Sequence, residues 1–156
     1  MKAAVFSDTH GSTALMVEAV RRLRPDVLIH LGDYERDTEI LRREFPEIPL
    51  YSVCGNCDFA PLAPLTDIVP LGGVKALICH GHSYAVEYNS IDRLVYAAQE
   101  REAKLALFGH THSPYHGEAG GVRVVNPGTA GKSHRPTYAW IEVFDNGGIA
   151  TEIRDL

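Results

Sequence analysis

Short apolar runs, each stopped by a polar or glycine-containing block, recur along this chain. Ala3-Ala4-Val5-Phe6 has the length and composition of a buried strand and stops at Ser7-Asp8. Leu15, Met16, Ala19, Val20 and Leu23 then recur at helical spacing; Ser12 or Thr13 can cap that helix, and Arg24-Pro25 ends it. Val27 to Leu31 is a second buried strand that stops at Gly32-Asp33. A short polar helix with Ile40 and Leu41 inward follows and ends near Pro46, and Leu50 to Val53 is a third strand that stops at Gly55-Asn56. Strand, helix, strand in alternation predicts a parallel sheet with helices packed on it.

The pattern changes after the Pro-rich connector 59–66. Asp67 to Pro70, Val74 to Cys79, Leu105 to Phe108, Val122 to Val125, Tyr138 to Phe144 and Ile149 to Ile153 read as strands. One clear helix lies among them, from about Ser90 to Glu102, with Ile91, Leu94, Val95 and Ala98 on one face. Gly72-Gly73, Gly120-Gly121 and Asn146-Gly147-Gly148 supply turns, the last two of hairpin type. The expectation is a parallel half joined to a largely antiparallel half, as two packed sheets with helices outside.

Bulk properties narrow the choice of function. A chain of 156 residues is read as one domain spanning 1–156, large enough to fold without disulfides. The formal net charge is -5, and the Arg21, Arg22 and Arg24 cluster is too small to make a phosphate-neutralising surface. General nucleic-acid binding is therefore not expected. No apolar run approaches the roughly 20 residues of a membrane span. Cys54, Cys57 and Cys79 are an odd set without a recognisable export signal, so reduced thiols in a cytoplasmic protein are expected. Cys54 and Cys79 sit in apolar runs and read as core thiols.

The chemistry lies where the strands stop. Asp8-Thr9-His10, Gly32-Asp33, Gly55-Asn56-Cys57-Asp58, His80-Gly81-His82 and Gly109-His110-Thr111-His112 follow one another along the chain, four of them directly after a predicted strand. In open α/β sheets, sites gather at the carboxyl ends of strands. His10, His80, His110, His112, Asp8, Asp33 and Asn56 make a set of imidazole, carboxylate and amide ligands too large for one ion and suited to two divalent ions sharing a carboxylate. Asp33 is the candidate bridge. Two such ions with two Asp leave a site of about +2, which attracts an anion and favours hydroxide over water. Hydrolysis of a phosphate ester by a metal-bound hydroxide fits best, although ligand type alone does not select phosphate over an amide.

The ordered series D-x-H, GD, GN-x-D, an apolar run plus H, and GHTH resembles the calcineurin-like metallophosphoesterases over about residues 1 to 130. The short length and the Gly-Asn-Cys-Asp block resemble the small YfcE-like phosphodiesterase subgroup. The resemblance implies a four-layer αββα sandwich of two mixed sheets flanked by helices. It implies one ion on Asp8, His10, Asp33 and His112 and another on Asp33, Asn56, His80 and His110, with manganese the leading metal and iron, zinc, nickel or magnesium as alternatives. Catalytic roles would fall to Asp8, Asp33, Asn56, Cys57, Asp58 and His80. The departure is Cys57, where many family members have a His that acts as general acid or positions substrate. A thiol is a weaker donor, and Asp58 loses its usual partner.

A small phosphodiester is the expected substrate, with no membrane partner and an exposed sheet edge that could support a homodimer. A phosphomonoesterase of the protein-phosphatase kind would need extra cationic groups for a dianion, and Arg36 is the nearest Arg to the blocks. A non-catalytic scaffold, like the retromer subunit on the same fold, should have lost a ligand, and all seven candidates are present. His82 is a candidate for substrate contact, His30 for a buried support, and Asn126 for support of the site loops. His116 and His134 read as surface residues.

Overall fold

In the computed structural model, which describes residues 1–86 and 90–156, the strands sort into two five-stranded mixed sheets. The order along the chain is β1 (Lys2–Phe6), α1 (Ala14–Leu23), β2 (Val27–His30), α2 (Thr38–Glu44), β3 (Leu50–Ser52), β4 (Thr66–Leu71), β5 (Val74–Cys79), α3 (Asp92–Glu100), β6 (Leu105–Leu107), β7 (Tyr115–Ala119), β8 (Val122–Asn126), β9 (Thr137–Val143) and β10 (Ile149–Asp155). One sheet runs β10-β9-β1-β2-β3 and the other β4-β5-β6-β8-β7.

Side-chain alternation builds the layers. In β1, Ala3 and Val5 face the second sheet, where Ile78, Leu105, Leu107 and Val125 complete an intersheet core. Ala4 and Phe6 point the other way, onto Met16 and Val20 of α1, Leu41 of α2 and Tyr138. On the outer face of the second sheet, Leu77, Cys79 and Ala106 pack on Leu94, Val95 and Ala98 of α3. The period of two in the strands thus feeds three apolar clusters, and the result is the four-layer αββα sandwich.

Three expectations change. The division into a parallel and an antiparallel half does not hold: β9 pairs antiparallel with β1, so the C-terminal hairpin completes the first sheet, while β5, β6 and β8 run parallel in the second. Strand β7 was not expected; its sequence Tyr-His-Gly-Glu-Ala is exposed or half-buried throughout and carries no apolar alternation. It forms because β8 offers a free edge next to the Gly120-Gly121 turn. In α1 the buried stripe is Met16, Val17, Ala19 and Val20, so Leu15 lies outside it, and Thr13 at the N-cap makes no side-chain capping bond. No helix among the described residues is long and apolar enough to cross a membrane.

Candidate metal centre

Parallel strands release their chains at the same edge, and that edge gathers the predicted blocks. Asp8 and His10 follow β1, Asp33 follows β2 and Asn56 follows β3 in the first sheet; His80 follows β5 and His110 and His112 follow β6 in the second. Asp8, His10, Asp33 and His112 form a metal-binding group whose ligand atoms all lie within 4.8 Å of one another. His112 Nε2 is 3.2 Å from Asp8 Oδ1 and 3.3 Å from His10 Nε2. On the other side of Asp33, His80 Nε2 is 3.3 Å from Asp33 Oδ1 and 3.1 Å from Asn56 Oδ1. The His110 ring centroid is 5.1 Å from that of His80, and His82 lies 5.5 Å from His80 and 6.1 Å from His110. All seven sequence-predicted ligands therefore meet at one edge, and His82 stands beside them.

The arrangement fits a cation. Asp8 Oδ1 is buried and accepts no hydrogen bond, whereas Asp8 Oδ2 accepts one from the His110 backbone N–H at 3.1 Å. A buried carboxylate oxygen whose polar neighbours are imidazole nitrogens, those of His112 and His80, is expensive unless a positive charge faces it. His80 is oriented by its far nitrogen. Its Nδ1 lies 2.7 Å from the Leu31 carbonyl, which can only accept, so Nδ1–H donates and Nε2 faces the site. The two oxygens of Asp33 face different neighbours: Oδ2 lies 3.6 Å from His10 Nε2, and Oδ1 faces His80 and accepts from the Cys57 N–H at 2.9 Å.

A set of supporting bonds holds the loops. Asp58 accepts from Glu35 N–H and from Gly55 N–H, each at 2.7 Å, and so ties the Asp33 loop to the Asn56 loop. Both of its oxygens are engaged by backbone, which explains why it need not partner residue 57. Asn126 is fully buried and donates to Gly109 O at 2.9 Å and to Thr111 Oγ1 at 3.0 Å, bracing the Gly109-His110-Thr111-His112 loop. Thr129, which sequence reasoning missed, donates to Asp8 O at 2.8 Å; its proximity to the Asn126-Pro127-Gly128 turn was the available signal. His30 is buried between Thr9 Oγ1 and the Gly32 N–H, as a support should be. His116 and His134 are exposed, as expected.

Two glycines permit the close approach. A Cβ on Gly109 would sit 1.9 Å from Ser7 Oγ, and one on Gly55 would sit 2.1 Å from Asp33 Oδ1. The backbone is also strained here. Asp8, His10, Asp33, His110 and His112 all have φ between 46° and 70°, a region that L-residues seldom occupy. Such strain persists where surrounding structure enforces it, and it clusters at functional sites.

Charge states follow from the packing. Burial disfavours ionised Asp33, but the Cys57 N–H and thiol, with His80 and His10, outweigh it and hold the carboxyl below its usual range. The Cys57 thiol is pushed up to about 11, first by partial desolvation and then by Asp33, Asp58 and Asp8. Cys57 lies at the surface, so its position leaves it accessible and un-ionised. Burial lowers His30 to about 4 and keeps it neutral.

Comparison with known proteins agrees with this geometry. The model of the calcineurin-like phosphoesterase superfamily domain matches residues 1–146, and the chain belongs to that family. It is similar to Probable metallophosphoesterase YsnB of Bacillus subtilis, with 30% identity over 132 residues, 83% of this chain and 75% of the relative. Among solved structures, Vps29 of Entamoeba histolytica complexed with Zn2+ superposes with a TM-score of 0.76 at 21% identity, covering 99% of both chains. A novel archaeal phosphodiesterase superposes with a TM-score of 0.73 at 20% identity, covering 99% of this chain and 100% of the other. These two likenesses are of fold alone. The chain is thus a metallophosphoesterase by family, with a metal-binding group at the edge where both sheets end.

Proposed function

We propose that the protein is a dimetal phosphodiesterase acting on small phosphate diesters. Asp8, His10, Asp33 and His112 would hold one divalent ion and Asp33, Asn56, His80 and His110 the other, with manganese the metal that the family resemblance implies. The observation that carries the reading is the convergence at His80. Its Nε2, an Asp33 oxygen and the Asn56 amide oxygen meet within 3.3 Å, and a cation between them relieves the crowding of acceptors. When bound, such ions supply Lewis acidity towards the phosphoryl oxygens and lower the pKa of water to the working range.

The chain's own groups set the rest. Asp33 presents one oxygen to each ligand set, as a bridge must. Asn56 Nδ2 lies 3.5 Å from Cys57 Sγ, which turns Oδ1 inward. The un-ionised thiol of Cys57 donates weakly, so the leaving group must be stable on its own. The five ligand blocks contain neither Lys nor Arg. Arg36 is exposed, and its guanidinium lies 5.7 Å over the Tyr34 ring. A site without a guanidinium suits a diester monoanion better than a monoester dianion.

The test is reconstitution with manganese, elemental analysis, and rates on bis(p-nitrophenyl) phosphate and p-nitrophenyl phosphate. About two ions per chain and faster hydrolysis of the diester are expected. One ion or none, or a faster monoester, would remove the proposal.

A further inference from the structure

A cavity of about 550 Å³ opens beside the metal centre on its His110 side. Val86, Ile91, Phe108, Pro114 and Tyr115 form its apolar walls, and His110 itself lines it. Thr111 and Ser113 are the other polar members, and no Lys, Arg, Asp or Glu is among the lining residues that the structure describes. The opposite flank differs: there a cavity of about 560 Å³ is lined by Glu35, Arg36, Asp37, Glu39 and Asp58 along with Phe59 and Leu62. The centre is therefore flanked by a pocket whose described walls combine aromatic and aliphatic side chains with uncharged polar ones, and by a cavity rich in carboxylates.

The pocket is built from ordered elements. Phe108 is buried, carried out of β6, and its ring centroid lies 6.4 Å from that of Tyr115 at the start of β7. Ile91 is the residue before α3 and packs on the cluster that includes Leu94 and Phe108. The loop between Phe108 and Tyr115 carries His110, and Asn126 braces that loop from below. A group seated on the Phe108–Tyr115 wall thus shares its pocket with a candidate metal ligand, His110.

We infer that this cavity receives one uncharged aromatic ester arm of the substrate, so that the site selects phosphodiesters bearing an aryl or similarly flat apolar group. The occupant follows from three facts. The pocket is continuous with the centre through His110. Its walls are aromatic and aliphatic, which reward a ring by burial and offset stacking. Its described lining residues offer no charge to a second phosphate or a cationic group. The inference rests on the phosphodiesterase reading for the identity of the phosphate, and the selectivity for the arm is its own content.

Two non-chromogenic monoanions of equal charge isolate the arm, diphenyl phosphate and dimethyl phosphate. Each is measured as an inhibitor of bis(p-nitrophenyl) phosphate hydrolysis by the manganese-loaded protein, and each is titrated into the metal-free protein with the Val86 and Ile91 methyl resonances as readout. Diphenyl phosphate is expected to inhibit at least about tenfold more tightly and to shift both methyls. Tyr115→Ala should remove most of that advantage while changing dimethyl phosphate inhibition less than about twofold. Ile91→Ala gives a second reading should Tyr115→Ala fail to fold. Equal binding of the two anions, or equal weakening of both by either variant, overturns the inference. Absence of hydrolysis with the methyl shifts and the diphenyl preference intact would sink the phosphodiesterase reading while supporting the pocket. Hydrolysis without shifts or preference would do the reverse.

Discussion

Asp33 and Asp58 are both carboxylates on site loops, yet their neighbours give them different work. Asp33 faces two sets of ligand atoms, whereas Asp58 is taken up by two backbone N–H groups. Asp33→Asn should lower the content of both ions and reduce activity by orders of magnitude. Asp58→Asn should keep the metal and instead lower stability by about 1–2 kcal/mol, since one oxygen becomes a donor facing a donor. Equal loss of metal in the two variants would refute the division. Cys57 gives a second contrast, because general acid help is worth about 10²–10⁴-fold and a thiol held near 11 supplies little of it. Cys57→His should raise kcat/KM for alkyl diesters more than for nitrophenyl diesters; a uniform change across leaving groups would argue against it. His30 predicts a pH effect on stability. It stays neutral in the fold down to about 4, whereas an exposed imidazole ordinarily titrates at 6.5. Between those values the unfolded chain binds more protons, so stability rises with pH across the window and is lost as pH falls from about 6.5 to 4. The full gap corresponds to about 3 kcal/mol at most. In denaturant titrations His30→Gln should show a flatter dependence over this range, and an unchanged slope would count against the assignment.

Elements place these residues by letting loops approach where they otherwise could not. Gly109 leaves β6 against Ser7 and Asp8, which leave β1, so the two sheets touch at a position with no room for a Cβ. Gly109→Ala should preserve far-ultraviolet circular dichroism and weaken metal binding about 10–100-fold, the usual effect of disturbing a ligand's supports. Unaltered metal affinity would show that the loops can separate without consequence. Most elements were legible in the sequence because their apolar runs are short, bounded and followed by polar blocks. β1, β2, β5 and β9 bury nearly every residue, and such runs announce themselves. β7 could not be read, since its five residues gain their strand geometry from the edge of β8 and not from their own pattern. The pairing of β9 with β1 was hidden for a related reason: residues far apart in the chain select partners through the intersheet core, which leaves no local mark. The seven ligand candidates were legible as residue types at strand ends. The positive φ of five of them and the roles of Thr129, Gly55 and Gly109 could not be read there, because strain and close approach depend on what lies opposite.

At the scale of the whole molecule, the metal centre is a seam. Asp8, His10, Asp33 and Asn56 come from the first sheet, and His80, His110 and His112 come from the second. Away from the edge the sheets are held by the apolar intersheet core, while at the edge carboxylates and imidazoles face one another with backbone held at positive φ. Occupancy by divalent ions should therefore close the sandwich at this end. Binding to the folded state alone stabilises it by about 2.7 kcal/mol at a free metal concentration 100 times Kd. For a chain of this size that is a rise in Tm of about 5–11 °C. Because the ligands come from both sheets, removing one ligand from either should forfeit much of the gain. Asn56→Ala on the first sheet and His80→Ala on the second, both ligands of the same proposed ion, should each lose the part of the metal-dependent rise which that ion supplies. His134→Ala, at an exposed histidine, should keep it in full. Thermal unfolding in chelator and in excess manganese measures the difference for each variant. A rise that is undiminished in Asn56→Ala and falls only in His80→Ala would place that ion on the second sheet alone, and it would then not span the seam.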